Sequence, residues 1–160
     1  MSQDMTVSCA GGLINLRVGA IILRNGRFLM VGNRRSEYLY SVGGRIQFGE
    51  TAQEAVIREV LEETGVRLTV QRLGFIHENY FHGDSPGNLG SLIYEVSFYF
   101  YMNVPEDFSP VCESETADGA AEYLRWIAPD DPIPFYPAFF RTELLHPAPG
   151  VRHLVTDSRV

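Results

Sequence analysis

The sequence is short of basic residues. It has 13 lysine and arginine residues against 20 aspartate and glutamate residues, which gives a formal net charge of −7. A surface that binds nucleic acid or an anionic membrane needs a basic footprint, and this balance argues against both partners. A small phosphorylated substrate stays open, because a bound metal ion can reverse the sign of the field locally.

Cysteines and long apolar stretches are also scarce. Cys9 and Cys112 are the two cysteines, and neither has a partner at the C-x-x-C spacing of a metal site. We expect both thiols to be reduced, with a disulfide between them as the alternative. Residues 1–16 show no basic region followed by an apolar run, and no apolar stretch approaches the ~20 residues of a membrane span. These absences predict a soluble, cytoplasmic protein without a membrane partner.

What is present fits one folded domain. The 160 residues are 45% hydrophobic and 21% charged, which is typical of a globular protein. A chain of this length buries enough surface to form a core without disulfides. We therefore predict one domain over residues 1–160.

The pattern of elements predicts an α+β fold, an α/β/α sandwich with helices on both faces of a mixed sheet. Leu92 to Met102 alternates in polarity over eleven residues, a strong strand signal. Residues 104–119 form a long acidic segment, predicted to be a lid or a mobile insertion. The other predicted elements are a hairpin of 17–23 and 28–31 around Asn25-Gly26, a loop marked by Gly43, Gly44 and Gly49, strands 68–81 and 122–127, and helices 51–64 and 137–146.

The first predicted helix has clear ends and an unusual face. Thr51 and Glu54 form a capping box, and Gly65 fits the left-handed position after the helix. Glu59 and Glu63 are like charges at i,i+4, which destabilise a helix unless something relieves them. A hard divalent metal ion held by oxygen ligands, Mg²⁺ or Mn²⁺, would relieve this repulsion. A solvated charged face is the alternative, although such faces normally interleave both signs.

The neighbours of the carboxylates bear on the same hypothesis. Ala52 and Ala55 fall on the acidic arc of the helix, where small side chains are expected to leave room for metal ions and a substrate. Apolar residues occupy the adjacent arc, including Val60 and Leu61, and are expected to pack on the sheet. Arg58 flanks the acidic arc, where it can orient a carboxylate through charge-assisted hydrogen bonds.

Residues 44–66 resemble the signature of the Nudix hydrolases, G-x5-E-x7-R-E-U-x-E-E-x-G-U with U a bulky aliphatic residue. Every place is filled, by Gly44, Glu50, Arg58, Glu59, Val60, Glu62, Glu63, Gly65 and Val66. The resemblance implies hydrolysis of a nucleoside diphosphate linked to another moiety, with Mg²⁺ or Mn²⁺ as the cofactor. A homodimer is a further expectation at the level of the family.

Carried over by position, the resemblance implies roles for individual residues. Glu59, Glu62 and Glu63 would bind the metal, with the backbone carbonyl of Gly43 or Gly44 as a further ligand. Glu50, Arg58, Glu62 and Glu63 would form the catalytic centre, in which Glu50 lies near the metal and Arg58 orients carboxylates. The alternative is a Nudix-fold module that binds a nucleotide without cleaving it, which the intact glutamates argue against.

Residues outside the signature give weaker candidates. Arg17, Arg34 and Arg45 are candidates to hold a substrate phosphate, with ordinary surface arginines as the alternative. A general base is sought within the signature or at Glu113 and Glu115, for which a solvated loop is the alternative. Glu95 is expected either to point into a polar cleft or to face solvent. His77 and His82 lack a metal-ligand spacing, so we expect structural roles. The aromatic residues Tyr80, Phe81, Phe135, Tyr136, Phe139 and Phe140 are candidates for stacking on a base or for the core.

Overall fold

The computed structural model describes residues 3–116 and 119–160, which form a mixed ten-stranded sheet and two helices. The strands are β1 (Thr6–Cys9), β2 (Gly12–Ile21), β3 (Leu23–Arg24), β4 (Arg27–Asn33), β5 (Leu39–Arg45), β6 (Thr69–His82), β7 (Leu92–Asn103), β8 (Glu122–Ile127), β9 (Phe135–Tyr136) and β10 (Arg152–Asp157). The helices are α1 (Ala52–Thr64) and α2 (Phe140–Glu143).

The sheet runs in the order β10-β6-β7-β2-β5-β4-β3, with β1 paired to β2, β8 to β4 and β9 to β5. β7 pairs in parallel with β2 and antiparallel with β6, so the sheet is mixed as predicted. β5 pairs with β4 at Ser41 and with β2 from Val42 onward. This strand therefore joins the two halves of the sheet, and its last two residues, Gly44 and Arg45, are the first two of the signature.

Two apolar clusters cover the two faces of the sheet. Helix α1 packs its Val56 and Val60 against Val18, Val42 and other residues of one face. The opposite face is covered by the segment around α2, where Phe135 and Phe140 pack edge-on against Phe28. The α+β fold with helices on both faces is therefore confirmed.

The second helix is much shorter than predicted. The sequence indicates a helix over 137–146, but α2 spans Phe140–Glu143 only. The Arg141 guanidinium donates to the carbonyls of Pro129 and Asp131, which fastens this turn to the preceding loop. The aromatic and β-branched residues of this segment have modest helix propensity, and a proline after His146 disfavours helical backbone there.

The double glycine lies in a strand, so the prediction of a loop at Gly43 and Gly44 is wrong. The glycines do allow a close approach between backbones, as expected of them. A Cβ added at Gly43 would lie 2.1 Å from the carbonyl oxygen of Val18. Gly49 does lie in the connection to α1, with a φ of 101°.

The prediction of a lid over 104–119 is wrong for the described part of that segment; Ala117 and Asp118 lie outside the described residues. Phe108 is buried in the core beneath the segment. The Arg24 guanidinium donates to the carbonyls of Pro105 and Phe108, and the Val111 amide donates to the carbonyl of Thr64. An apolar anchor and these hydrogen bonds hold the segment against the body of the protein.

The remaining elements were predicted unevenly. The strands 68–81, 92–102 and 122–127 are present within one or two residues. The turn at Asn25-Gly26 has positive φ at both residues, but its hairpin is only the short β3–β4 pair. β1, β5, β9 and β10 were not predicted. Among the described residues, neither helix has the length and apolarity needed to cross a membrane.

Candidate active site

Helix α1 carries the predicted caps. The Thr51 side chain accepts from the amide of Glu54, and the Glu54 carboxylate accepts from the amide of Thr51. Gly65 closes the helix in the left-handed conformation, and its amide donates to the carbonyl of Leu61. The capping box and the glycine fix the start and end of the signature helix.

The helix turns its acidic side further toward the sheet than expected. Ala55 is fully buried in the core and Ala52 packs against it, so the prediction that they leave open room beside the carboxylates is wrong. Leu61, expected to pack on the sheet, is 42% exposed, whereas Glu63 is only 7% exposed. The small alanines instead let the helix lie close to the sheet, which brings carboxylates against β5.

Arg58 is the centre of the hydrogen-bond network around α1. Its Nε and Nη2 donate to the two oxygens of Glu50 over 3.0 and 2.6 Å, and Nη2 also donates to the carbonyl of Arg45 over 3.1 Å. Its Nη1 donates to Glu59 over 2.8 Å and to the exposed Glu62 over 3.3 Å. These hydrogen bonds hold the pKa of Glu50 below its usual value. Arg58 thus fixes the carboxylates of Glu50 and Glu59 and holds Glu62 more weakly.

Gly44 makes room for Glu59. A Cβ added at Gly44 would lie 2.5 Å from Glu59 Oε1, so any other residue there would push the carboxylate away. Burial raises the pKa of Glu59, and the hydrogen bond from Arg58 opposes that shift. The lack of a side chain at Gly44 therefore leaves the space that the Glu59 carboxylate occupies.

Glu63 is the most perturbed acid of the site. Burial raises the pKa of Glu63 to about 9, and the negative charges of Glu122 and Glu59 add to that shift. The amide of Gly43 donates to the carboxyl group and lowers the pKa in part. Oxygen Oε2 is buried and has no hydrogen-bond partner among the residues that the structure describes. A buried carboxyl oxygen without a partner costs free energy, which a bound cation would recover.

The fit of a divalent metal rests on these features. Among the described residues, no three His, Cys, Asp or Glu side chains already converge as a ligand set, since Arg58 holds Glu59 and Glu62. The buried unpaired oxygen of Glu63 and the hard oxygen donors of Glu59 and Glu62 nevertheless suit Mg²⁺ or Mn²⁺. Glu62 is exposed enough to turn away from Arg58 toward a metal ion.

Glu122 is a site residue that the sequence analysis missed. It opens β8 opposite Asn33 of β4, and its charge acts on Glu63. The Tyr40 hydroxyl donates to Glu122 Oε2, and the Ser114 hydroxyl donates to Oε1 over 3.0 Å. Its position at the first residue of the predicted strand 122–127, soon after the acidic segment 104–119, is the sequence feature that could have indicated it.

The candidate phosphate-binding arginines separate into two groups. Arg17 and Arg45 are directly opposite each other on the antiparallel strands β2 and β5, so their side chains share a face of the sheet. Arg17 Nε lies 3.9 Å from Glu95, and Arg45 Nη1 lies 3.8 Å from Asp4. Arg45 Nε is buried and has no hydrogen-bond partner within residues 3–116 and 119–160. Arg34 is exposed on the turn after β4, away from this pair. Opposed like charges suit a bound anion.

A cleft of about 530 Å³ opens on the sheet face that carries Arg17. Its walls include Tyr40, Tyr99, Tyr136 and Phe139. Arg17 and Tyr40 border both the cleft and the acidic site, because Arg17 acts electrostatically on Glu59 and Glu63 and Tyr40 bonds to Glu122. A ligand in the cleft can therefore extend to the glutamates.

Some of the other predicted residues line the cleft, and others do not. Glu95 lines the cleft rather than facing open solvent. Glu113 and Glu115 are exposed, and neither has a hydrogen bond or ion pair to α1 among the described residues. Phe135 and Phe140 belong to the core, whereas Phe81 lines the cleft.

Comparisons with known proteins agree with this architecture. A family model described as the NUDIX domain matches residues 14–145. A MutT-like protein of Streptomyces ambofaciens is 32% identical over 65 residues, which make up 41% of this chain and 42% of that protein. The match thus spans less than half the length of this relative.

Solved structures show the same fold. An ADP-ribose pyrophosphatase from Streptococcus suis has a TM-score of 0.59 at 17% identity, over 87% of this chain and 98% of that chain. A mutator MutT protein from Bacillus halodurans has a TM-score of 0.58 at 21% identity, over 89% of this chain and 88% of that chain.

The family model covers most of the chain, so the protein belongs to the NUDIX domain family. This confirms the family that the signature predicted. The hydrolase activity that the signature implies remains a proposal. The roles of the individual site residues remain predictions.

Proposed function

We propose that this protein hydrolyses the diphosphate bond of a nucleoside diphosphate linked to another moiety, with Mg²⁺ or Mn²⁺ held by Glu59, Glu62 and Glu63. The observation that carries the proposal is the buried, unpaired oxygen of Glu63 within a group of crowded carboxylates. This arrangement is costly in the absence of a cation and becomes favourable when one binds. The backbone carbonyl of Gly43 or Gly44 is a further candidate ligand.

The substrate class follows from the cations beside the glutamates. The sequence contains no lysine, so the cationic side chains that can bind phosphate are arginine and protonated histidine. The opposed guanidinium groups of Arg17 and Arg45 can each hold phosphate oxygens through paired hydrogen bonds. The structural neighbour from Streptococcus suis is itself an ADP-ribose pyrophosphatase, which supports a nucleotide-type diphosphate as the class to test.

The chain's own residues would divide the work in the following way. A bound divalent metal supplies neutralisation of the diphosphate charge and lowers the pKa of a coordinated water. Arg58 keeps Glu59 oriented and Glu50 locked by its paired hydrogen bonds. Arg17 holds the substrate phosphates at the boundary with the cleft. Glu122, which accepts hydrogen bonds from Tyr40 and Ser114, would be the acid outside the signature that takes a proton.

The test is release of nucleoside monophosphate from a substrate panel. The panel contains ADP-ribose, UDP-glucose and nucleoside triphosphates, assayed with Mg²⁺, with Mn²⁺ and with EDTA. We expect metal-dependent product from at least one member. Glu62→Gln and Glu63→Gln should each lower turnover by orders of magnitude, on the order of the 10²–10³-fold loss seen when one charge-stabilising group is removed, while the fold stays intact.

Glu54→Gln is the matched control, because it changes a carboxylate of the same helix that caps the backbone away from the site. Glutamine also supports a capping box, so this variant should keep wild-type turnover. Near-wild-type turnover of both Glu62→Gln and Glu63→Gln at saturating Mg²⁺ would contradict the assigned roles. No product from any substrate, together with nucleotide binding that does not depend on metal, would favour the non-catalytic module.

A further inference from the structure

The cleft contains a chain of three polar side chains that the proposed chemistry does not use. His77 and Asn79 are two residues apart on β6, so both side chains lie on the cleft face of the sheet. Thr156 of β10 bonds to both of them, with its hydroxyl oxygen 2.9 Å from His77 Nε2 and 2.6 Å from Asn79 Oδ1. The neighbouring strand therefore fixes the orientation of both side chains.

The hydroxyl group determines which nitrogen of His77 carries the proton. A threonine hydroxyl has one proton, and Thr156 donates it to Asn79 Oδ1. With the Asn79 amide in this orientation, Thr156 accepts at His77, so we expect Nε2 to carry the proton and Nδ1 to be an acceptor in the neutral ring. Burial lowers the pKa of His77, which agrees with a neutral ring.

Both free polar atoms open on the cleft. His77 is 6% exposed, and its Nδ1 has no hydrogen-bond partner among the described residues, yet it is not one of their fully buried unpaired atoms. Its remaining access is therefore to the cleft that the ring lines. The Asn79 amide oxygen accepts from Thr156, whereas its amide nitrogen makes no hydrogen bond to the described residues. Asn79 also lines the cleft.

The surroundings suit a flat, uncharged ring. Phe139 packs edge-on against His77, with ring centroids 5.1 Å apart, and Tyr136 and Tyr38 stand in the same cleft. Among the described residues that line the cleft, Arg17 is the one arginine, and Glu95 lies 3.9 Å from it. Burial, and no charged neighbour in the described part of the chain, is what lowers the pKa of His77. Phosphate groups are therefore favoured at the Arg17 end, and an uncharged group is favoured beside His77.

The sheet register links these two ends. Arg17 pairs with Ser97, and Ser97 pairs with His77, so Arg17 and His77 lie on one row across three neighbouring strands. Two strand spacings separate them by about 10 Å. A phosphate at Arg17 and a ring at His77 can thus belong to one ligand.

We infer that the cleft binds the heterocyclic base of the substrate through an acceptor at His77 Nδ1 and a donor at the Asn79 amide, with Thr156 as the positioning residue that fixes both. This inference rests on the proposed function, since it names the part of the nucleotide that enters the cleft. A base edge presents a donor and an acceptor side by side, and its faces stack on aromatic rings.

The first experiment measures the tautomer of His77 in the free protein. Long-range ¹H–¹⁵N spectra of the labelled protein distinguish protonated from unprotonated ring nitrogens, and a His77→Gln variant assigns the signals. We expect Nε2 protonated and Nδ1 unprotonated. Thr156→Ser should keep the proton on Nε2 of His77. Thr156→Val should lose the preference for Nε2 over Nδ1. A proton on Nδ1 in the wild-type protein would overturn the inference.

The second experiment measures ligand binding in EDTA, where no metal-dependent cleavage occurs. The probes are AMP, GMP, CMP and UMP, with ribose 5-phosphate as the ligand that lacks a base. We expect at least one nucleotide to move the Nδ1 signal and ribose 5-phosphate to leave it in place. Thr156→Val should weaken that nucleotide about tenfold, the effect of one well-placed hydrogen bond, and Thr156→Ser should restore the affinity.

Three results would overturn the inference: no nucleotide moves the His77 signal, ribose 5-phosphate moves it equally, or Thr156→Val binds as well as Thr156→Ser. These results are distinct from failure of the proposed function. Metal-dependent hydrolysis without a response at His77 defeats the inference alone. A nucleotide response at His77 without hydrolysis of any diphosphate defeats the proposed function alone.

Discussion

Replacing Glu63 by glutamine should stabilise the metal-free protein and at the same time remove its response to metal. The pKa of Glu63 is raised by burial from 4.5 to about 9. A raised pKa in the folded state means that the acid's contribution to stability is complete below its unfolded value and is lost as the pH rises toward the folded value. The wild-type protein therefore loses stability across this window, and the amide of glutamine does not.

The size of the effect follows from the linkage between protonation and folding. Each pH unit between the two pKa values costs about 1.36 kcal/mol, so the difference at about pH 7 is up to about 3 kcal/mol. Solvent screening is small because Glu63 is 7% exposed. Glutamine keeps an oxygen acceptor for the amide of Gly43 and carries no charge at any pH of the assay.

The assay is urea unfolding of both proteins in EDTA at about pH 5 and about pH 7, then in saturating Mg²⁺. We expect Glu63→Gln to be more stable than wild type in EDTA, and by more at the higher pH. Mg²⁺ should stabilise the wild type by the free energy of binding and leave the variant almost unchanged. Equal stabilities in EDTA at both pH values, or equal stabilisation by Mg²⁺, would refute this reasoning. Glu54→Gln again serves as the control.

Three further predictions follow from the same geometry. Arg58→Lys should lower the free energy of unfolding by about 1–3 kcal/mol, because lysine cannot make the paired hydrogen bonds to Glu50, and a double-mutant cycle with Glu50→Gln should show coupling; additive losses would contradict this. Gly44→Ala should reduce turnover more than stability, since its Cβ would lie 2.5 Å from Glu59 Oε1. A wild-type kcat with Mg²⁺ would show that catalysis does not depend on the observed position of the Glu59 carboxylate. Glu122→Gln should lower kcat by about 10²–10⁴-fold with KM little changed, the typical contribution of a proton-transfer group, and an unchanged kcat would remove Glu122 from the mechanism.

The parts of the site that could be predicted from the sequence are those whose causes are local. The caps of α1 depend on residues within one turn of each other, and the crowding of Glu59 and Glu63 follows from helical spacing. β6 and β7 are long enough for their patterns to show. Each of these elements expresses one period or one capping rule over consecutive residues.

The missed parts depend on strand register, which consecutive residues do not encode. Glu122 acts on Glu63 because β8 pairs with β4, and Arg17 stands opposite Arg45 because β2 pairs with β5. The strand β10 is mostly exposed at the edge of the sheet, so its residues lack the alternating burial that marks a strand. Its Thr156 contacts His77 across 79 positions of sequence. The acidic centre is thus readable from one segment, whereas the cleft is assembled from several.

The charges around α1 explain why a metal and a diphosphate are expected to bind together. The acidic groups outnumber the guanidinium groups: Glu50, Glu59, Glu62, Glu63 and Glu122 face Arg17, Arg45 and Arg58. Arg58 is already committed to the glutamates, so a diphosphate arriving alone meets a net repulsion, and a divalent cation arriving alone must compete with Arg58 for Glu59 and Glu62. A divalent cation held by Glu59, Glu62 and Glu63 would supply positive charge that lowers both penalties, and the buried oxygen of Glu63 would gain a partner. Arg17 and Arg45 would then remain available to the phosphate groups. We therefore expect the same excess of negative charge to favour a substrate that carries a bound metal ion over the metal-free substrate.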